Sequence, residues 1–417
     1  MILDIKTPIW TGDIDSKSNS LKSTGIMGSI RWWVEAILRG MYNFACDPID
    51  DNPQSLTKRC PTTKENNREI SQYCSACLIF GATGMRKLFR LHIEGGHEIF
   101  NDRPIKIMPK GRTGGWYLGS GLGGEINLDI ISLDKDFDKS LISVPLTITA
   151  KLGAIGARTQ NGYGIVELKE FPEIKIEDFK NSVGKITDTT RLAKLKIDVR
   201  KEVRQENCIS LPNIKEMFFA KIQFEADNDW WKEVDGIEER GQTGDRDYYE
   251  GCANDARMHK WIDSGSVPIV PAIKNWLRYG YGKSLWQTGD RNKDRIIDKW
   301  LFGTIRNDKT ASKVIISCAY LVSNNIWEFR IWGWIPENSL PDEFDRENFL
   351  DSLNKSLDGK GSAKLPWKNI FGNGTKEHRL SVWREYNSSR DTVKSGEEGI
   401  DNYLGSLLSG GRKFNES

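Results

Sequence analysis

Apolar positions along this chain recur with two periods, and the switches between them outline its elements. Leu3, Ile5 and Pro8-Ile9 alternate over residues 2–10, which predicts a strand ending at Thr11-Gly12-Asp13. A polar, serine-rich loop, 16–24, leads to Ile26, Ile30, Trp33, Val34, Ile37, Leu38 and Met41. Their spacing, behind Gly25 and with no proline between them, predicts an amphipathic helix. Residues 47–71 are polar, charged and proline-containing, and read as an irregular insertion. Alternation returns over 86–94 and 125–133, two strands separated by a glycine-rich basic loop. Leu141, Val144, Ile148, Leu152 and Ile155 fit one helical face with Pro145 in the first turn; the β-branched run Thr147-Ile148-Thr149 argues for a strand, and helix is preferred. A glycine-studded turn, 153–164, precedes a last strand at 165–171.

The second half repeats this grammar. A strand at 218–224 is followed by a charged insertion, 228–266, and then 268–278 resembles 25–35, with Ile273 against Ile30 and Lys274 against Arg31. Leu301-Phe302-Gly303-Thr304 echoes Ile79-Phe80-Gly81-Ala82, and strands at 313–319 and 327–334 follow. Phe349, Leu350, Leu353 and Leu357 give 344–357 helical spacing. The pattern predicts an α+β protein of two domains, 1–175 and 215–417, joined by a linker at 176–214, with a cysteine-containing insertion at 46–77 in the first.

A length of 417 residues suffices for two cores. Lysine and arginine number 60 against 58 acids, so the net charge of +2 names no partner and any polyanion surface must come from local clustering. The start, MILDIKTPIW, lacks a basic segment followed by an apolar run, and no stretch approaches the roughly 20 apolar residues of a membrane span, so a cytoplasmic protein is expected. Several of the 15 tryptophans adjoin a cation, as in Arg31-Trp32-Trp33 and Trp383-Arg384, which suits half-buried packing and base stacking.

Candidate chemistry concentrates in a few segments. In the turn 153–164, glycines at 153, 156, 162 and 164 permit positive φ and close backbone approach, while Arg158, Thr159, Gln160, Asn161 and Tyr163 offer charge, hydrogen bonds and a ring face to RNA. An ordinary helix-to-strand connector has the same glycines. Arg31 and Trp32 point roughly 100° apart on the first helix, so one of them reaches a surface. Arg31, Glu35 and Arg39 form a row at steps of four that reads as exposed, either an ion-pair ladder or an RNA contact. Lys274, Asn275 and Arg278 are the second-half counterparts. The region from Arg103 to Arg112 holds four basic residues, its ends included, and no acid, a phosphate-gripping or merely solvated loop.

Seven cysteines, four of them at 46, 60, 74 and 77, suit reduced thiols or a metal site better than disulfides. Cys74-Ser-Ala-Cys77 supplies only one close pair, so a structural zinc ion on Cys46, Cys60, Cys74 and Cys77 and free thiols both stay open. A redox pair is disfavoured because the motif precedes Phe-Gly instead of opening a helix after a strand. His92, His97, His259 and His378 form no paired-histidine metal motif, and Gly-Ser-Gly-Leu-Gly-Gly at 119–124 precedes a strand, unlike a dinucleotide loop. An acid-base ribonuclease using His92, Tyr163 and a lysine is the enzymatic alternative.

Taken together, Ser29-Ile30-Arg31-Trp32-Trp33, Phe80-Gly81-Ala82-Thr83-Gly84, the turn 153–164, Lys274-Asn275-Trp276-Leu277-Arg278, Phe302-Gly303-Thr304 and the run 327–336 resemble the RAMP superfamily of CRISPR-associated proteins. Within it, they are similar to the family that supplies the first subunit of the Cmr, or type III-B, RNA-guided effector complex. The resemblance runs from the first strand to Pro336, with only Gly-Gly-Arg at 410–412 beyond it. It implies two ferredoxin-like, RRM-related domains, contact with guide RNA towards its 3′ side, help in capturing target RNA in antiviral defence, and docking to other subunits of the complex. It implies no cleavage by this chain; guide-RNA processing without metal, as in other RAMP relatives, is the competing activity. With that resemblance, Arg31, Trp32, Arg112, Arg158, Thr159, Gln160, Asn161, Tyr163, Lys274, Asn275 and Arg278 are the expected RNA contacts.

Overall fold

The computed structural model describes residues 1–12, 18–52, 54–63, 71–100, 102–170, 173–200, 211–239, 251–304, 310–393 and 397–409. The Gly-Gly-Arg motif at 410–412 lies outside the described residues. The protein is α+β, with two main antiparallel sheets. In the first, β1 (Ile2–Ile9), β2 (Phe89–Glu98), β3 (Leu122–Ser132) and β4 (Val166–Leu168) lie in the order β2-β3-β1-β4. Helix α1 (Ser23–Gly40) connects β1 towards β2, the short α2 (Ser75–Phe80) follows the cysteine insertion, and α3 (Ser140–Leu152) connects β3 to β4. The inward side chains follow the period-two alternation: Leu3, Ile5, Ile126, Leu128 and Ile130 are all buried.

The apolar stripe of α1 is buried as its spacing predicts, but Glu35 and Arg39 are buried too, at 4% and 6% exposure. The exposed row is therefore corrected to an internal ladder, in which the Glu35 carboxylate meets Arg31 at 2.7 Å and Arg39 at 3.7 Å. Arg39 donates to the carbonyls of Ala45, Cys46 and Pro212, so the insertion and the end of the 176–214 segment cover this side of the helix. That segment is more than a bare tether. Its helix Ile176–Ile186 places Phe179, Val183 and Ile186 in the first core, and its strand Ile197–Val199 pairs in parallel with Ser71–Tyr73 of the insertion.

The second sheet contains β5 (Met217–Ala226), β6 (Ser266–Val267), β7 (Val314–Ile316), β8 (Ala319–Ser323), β9 (Ile326–Trp334) and β10 (Thr375–Glu385). Its order is β6-β8-β9-β5-β10, with β7 also paired to β9. In both sheets the first strand lies between the last strand and the one that precedes it in the chain. The expected strand at 313–319 divides into β7 and the start of β8. Helices α4 (Val270–Tyr279), α5 (Arg291–Phe302) and α6 (Arg346–Leu357) belong to this half, and α7 (Ile400–Ser409) returns Tyr403, Leu404 and Leu407 to the first core.

The repeated Phe-Gly motifs adopt one geometry. Gly81 and Gly303 end α2 and α5 with φ of 83° and 72°, where a side chain would be strained. The strand entry that follows each motif donates back two residues before the glycine, Leu88 N to the Ile79 carbonyl at 3.0 Å and Lys313 N to the Leu301 carbonyl at 2.8 Å. The duplication read from sequence order is thus matched in hydrogen bonding.

Period-two alternation also decides how the halves meet. On β5, Met217 and Phe219 enter the first core whereas Phe218, Ala220, Ile222 and Phe224 enter the second. The side of this sheet that faces the first core carries a buried polar group: Arg330 donates to Tyr320, and Gln223 and Lys221 approach Glu328 at 2.8 and 3.5 Å. Arg330 Nη1 then reaches the carbonyls of Ala150 and Gly153 at 2.9 and 3.0 Å, a cation on the C-terminal end of α3.

Candidate nucleic-acid interface and cysteine cluster

The glycine turn forms the seam between the two halves. Ala157 N donates to the Trp10 carbonyl, Gly164 N to the Pro8 carbonyl, and from the other half Cys318 N donates to the Gly162 carbonyl at 3.2 Å. At Gly162, where φ is 93°, a Cβ would lie 2.6 Å from both Cys318 N and Val270 Cγ2, so the two halves approach too closely for any side chain. Arg158 itself takes a left-handed conformation, φ 58°, and its guanidinium lies over the Trp10 ring at 4.0 Å.

Lys274, on α4, donates its ammonium to the Gln160 carbonyl. One helical step away, Asn275 Nδ2 donates to the Lys110 carbonyl at 3.3 Å, and Arg112 of the same basic loop lies over the Tyr279 ring at 3.7 Å. The turn, α4 and the basic loop, far apart in sequence, therefore share one surface. Arg278 faces α5 and is held by Asp298 through two bonds of 2.8 Å, and Lys110 pairs with Glu238. Arg112, Arg158 and Lys274, by contrast, meet no carboxylate among the described residues, and the buried Arg112 Nε has no hydrogen-bond partner. Burial, then repulsion from Arg278, pushes the Lys274 ammonium down to about 8.

Two expected contacts are placed differently. Tyr163 is fully buried in the second core, edge-on to Trp261 at 5.6 Å with its hydroxyl donated to the Gly119 carbonyl, so it presents no ring face to a base. Its burial also separates it from His92, which lies exposed on β2 against Glu94 at 2.9 Å, and the acid-base pair of the enzymatic alternative shares no surface. Arg31 turns into the cysteine cluster, and Trp32 is half-buried edge-on to Trp33 at 5.1 Å. Thr159, Gln160 and Asn161 are half-buried at the seam. Two aromatic residues of this surface escaped the sequence reading, Trp10 and Tyr279 at 41% exposure, and so did Tyr281, which follows α4 and is 87% exposed. The signal available for the last was Tyr281 between two glycines, the same pattern that drew attention to Tyr163.

Cys46, Cys60, Cys74 and Cys77 are all buried and their sulfurs lie within 4.8 Å of one another. Cys46 Sγ is 3.6 Å from both Cys74 Sγ and Cys77 Sγ. That is far beyond a disulfide bond of about 2.0 Å. It matches the edge, about 3.8 Å, of a tetrahedron with metal–sulfur bonds of about 2.3 Å. Hydrogen bonds, first from Cys46 and then from Cys60 and Cys77, hold the Cys74 thiol well below its ordinary range, while the bond shared with Cys46 pushes Cys77 up. The bond with Cys46 likewise lowers Cys60, while Cys46 itself is raised, first by its bond to Cys60; four thiolates at this spacing would need a cation between them. The donor set fits a metal ion such as zinc. One expectation is corrected: Cys74 follows the strand Ser71–Tyr73 and is the N-cap of α2, so the motif does open a helix, yet its sulfurs are shared with two further cysteines instead of facing solvent as a redox pair would.

Among the described residues no helix is long and apolar enough to cross a membrane. Residues 2–167, from β1 to β4, match the model of the RAMP superfamily, and the resemblance read from the motifs of that half is shown. Across most of the chain, two solved structures of the Cmr system are similar. One is the crystal structure of Cmr1 from Pyrococcus furiosus in its apo form, 14% identical over 84% of this chain and 91% of that chain, with a TM-score of 0.32. The other is the cryo-EM structure of the type III-B Cmr-beta bound to cognate target RNA and AMPPnP in the presence of ssDNA, 12% identical over 84% and 97%, with a TM-score of 0.33. Likenesses at this level carry no functional assignment. No curated protein matches the sequence.

Proposed function

We propose that this chain is a noncatalytic, RNA-binding subunit of a type III CRISPR ribonucleoprotein effector complex, similar to the first subunit of the type III-B assembly. In this reading it works in the cytoplasm, contacts guide RNA towards its 3′ side, helps to capture target RNA in antiviral defence and docks on the neighbouring subunits. The shared strand order of the two sheets is read as two ferredoxin-like domains, 1–175 and 215–417, and a structural zinc ion on Cys46, Cys60, Cys74 and Cys77 orders the insertion of the first. The observation that carries the RNA reading is Lys274: a desolvated cation, beside Arg278 and with no carboxylate partner among the described residues, lowers stability unless a polyanion completes its surroundings. Arg112 and Arg158, also without acidic partners among the described residues, extend the same surface, with Thr159, Gln160, Asn161 and Asn275 as polar contacts and Tyr279 and Tyr281 as stacking faces.

The test is the salt dependence of binding to single-stranded RNA. Three phosphate contacts give a slope of about −2 for log affinity against log salt concentration, since each contributes about −0.7 on a single strand. Ultraviolet crosslinks should fall on the turn, on α4 and on the basic loop. Affinity that does not change with salt, or crosslinks confined to other faces, would overturn the assignment.

A further inference from the structure

The RNA reading does not explain why two guanidiniums converge on the cysteine sulfurs. Arg31 Nη2 donates to Cys77 Sγ at 3.2 Å from α1, and Arg200 Nη1 approaches Cys60 Sγ at 3.9 Å from the end of the strand Ile197–Val199. Both side chains are held in place independently of the sulfurs. Arg31 is fixed by Glu35 at 2.7 Å and by the Gly81 carbonyl at 3.3 Å. Arg200 donates to the carbonyls of Leu56 and Lys58 at 2.6 Å each, its amide donates to the Tyr73 carbonyl at 2.8 Å, and its guanidinium lies 4.6 Å from the Phe44 ring centroid.

A neutral thiol is a weak hydrogen-bond acceptor and does little to offset the desolvation of a guanidinium. A thiolate does far more, because the bond becomes charge-assisted. A divalent metal on four thiolates carries a net double negative charge in a buried site, and nearby groups that neutralise and orient its ligands strengthen its binding. Resting on the reading of the cluster as a zinc site, we propose that Arg31 and Arg200 are its positioning residues, one on each side, neutralising the Cys77 and Cys60 thiolates. Arg200 thereby makes the centre a clasp. Through one guanidinium the metal ties the insertion at 56–60 to the strand Ile197–Val199, a segment more than a hundred positions further along the chain. Arg31 anchors the same centre to α1, which accounts for its absence from the RNA surface.

The test uses the full chain, purified under reducing conditions, with zinc affinity measured by competition against a chromogenic chelator and with cobalt(II) absorption as the spectroscopic signature of the thiolate ligands. Arg31→Met and Arg200→Met should each weaken zinc binding by about 10–100-fold, and Arg31→Lys and Arg200→Lys should recover part of the loss. Limited proteolysis of the Arg200→Met variant should open the insertion. If the wild-type protein binds zinc and both methionine variants bind it equally tightly, the positioning role is refuted while the metal site stands. If the wild-type protein neither contains zinc nor takes up zinc or cobalt, the metal reading itself fails and the inference with it. Should Arg200→Met not fold, Arg31→Met, on the less enclosed side of the cluster, decides the matter alone.

Discussion

Replacing Lys274 by methionine separates the demands of folding from those of binding. In the folded chain burial and Arg278 bring the ammonium from its ordinary 10.5 down to about 8. The unfolded chain therefore holds this proton across a pH window in which the folded chain has released it. Wild-type stability accordingly rises with pH between about 8 and 10.5, and below that window the charged ammonium costs the folded state roughly 3 kcal/mol. Methionine keeps the aliphatic stem but loses the bond to the Gln160 carbonyl, worth about 1 kcal/mol, and residual solvent contact softens the penalty further. A net stabilisation of about 1–2 kcal/mol at neutral pH is expected. Binding moves in the opposite direction. If an RNA phosphate restores the ordinary value, wild-type affinity falls about 30-fold from about pH 7 to about pH 9.5, Lys274→Met binds weakly without that dependence, and Lys274→Arg binds with little of it. Chemical denaturation and fluorescence anisotropy with a short single-stranded probe measure both effects. A Lys274→Met variant that is less stable and binds RNA like the wild type would refute the reasoning.

Three further outcomes follow from the same geometry. Gly162→Ala should lower the melting temperature and weaken RNA binding together, because the added methyl meets Cys318 and Val270 and the left-handed backbone alone costs about 1–2 kcal/mol; a variant that melts with the wild type would show that the seam yields. Arg330→Met should destabilise by about 3–5 kcal/mol in urea, since Glu328 loses a buried cation and the carbonyls at the end of α3 lose their donor. Tyr281→Ala should leave stability within about 0.5 kcal/mol, as expected for a side chain so exposed, yet weaken RNA binding by about 1–3 kcal/mol if the ring stacks on a base; unchanged affinity would remove Tyr281 from the RNA path.

Where apolar residues set the local period, the elements were legible in the chain. The stripe of α1, the alternation of β1, β3, β5 and β9 and the spacing of α6 each lie on a face whose burial local geometry dictates. The duplication was legible because both halves need glycine after the same helix end. Strand β10 was not, because it is an edge strand whose solvent-facing end is polar, and its buried end encloses Arg384 in an ion pair with Asp391, which no hydrophobic pattern announces. Helix α7 went unread for a different reason: its apolar residues complete the first core, far away in the chain.

At the candidate site the sequence determined which residue types lie next to one another, and so the glycine turn, the basic loop and the four cysteines could be named. Their directions were set by packing between distant segments. Arg31 and Lys274 occupy equivalent places in the duplicated helix, yet the cysteine insertion encloses one and the seam presents the other. A cation's role depends on whether its nearest partner is a sulfur, a carboxylate or an open surface, and that partner comes from elsewhere in the fold, beyond the reach of any local period.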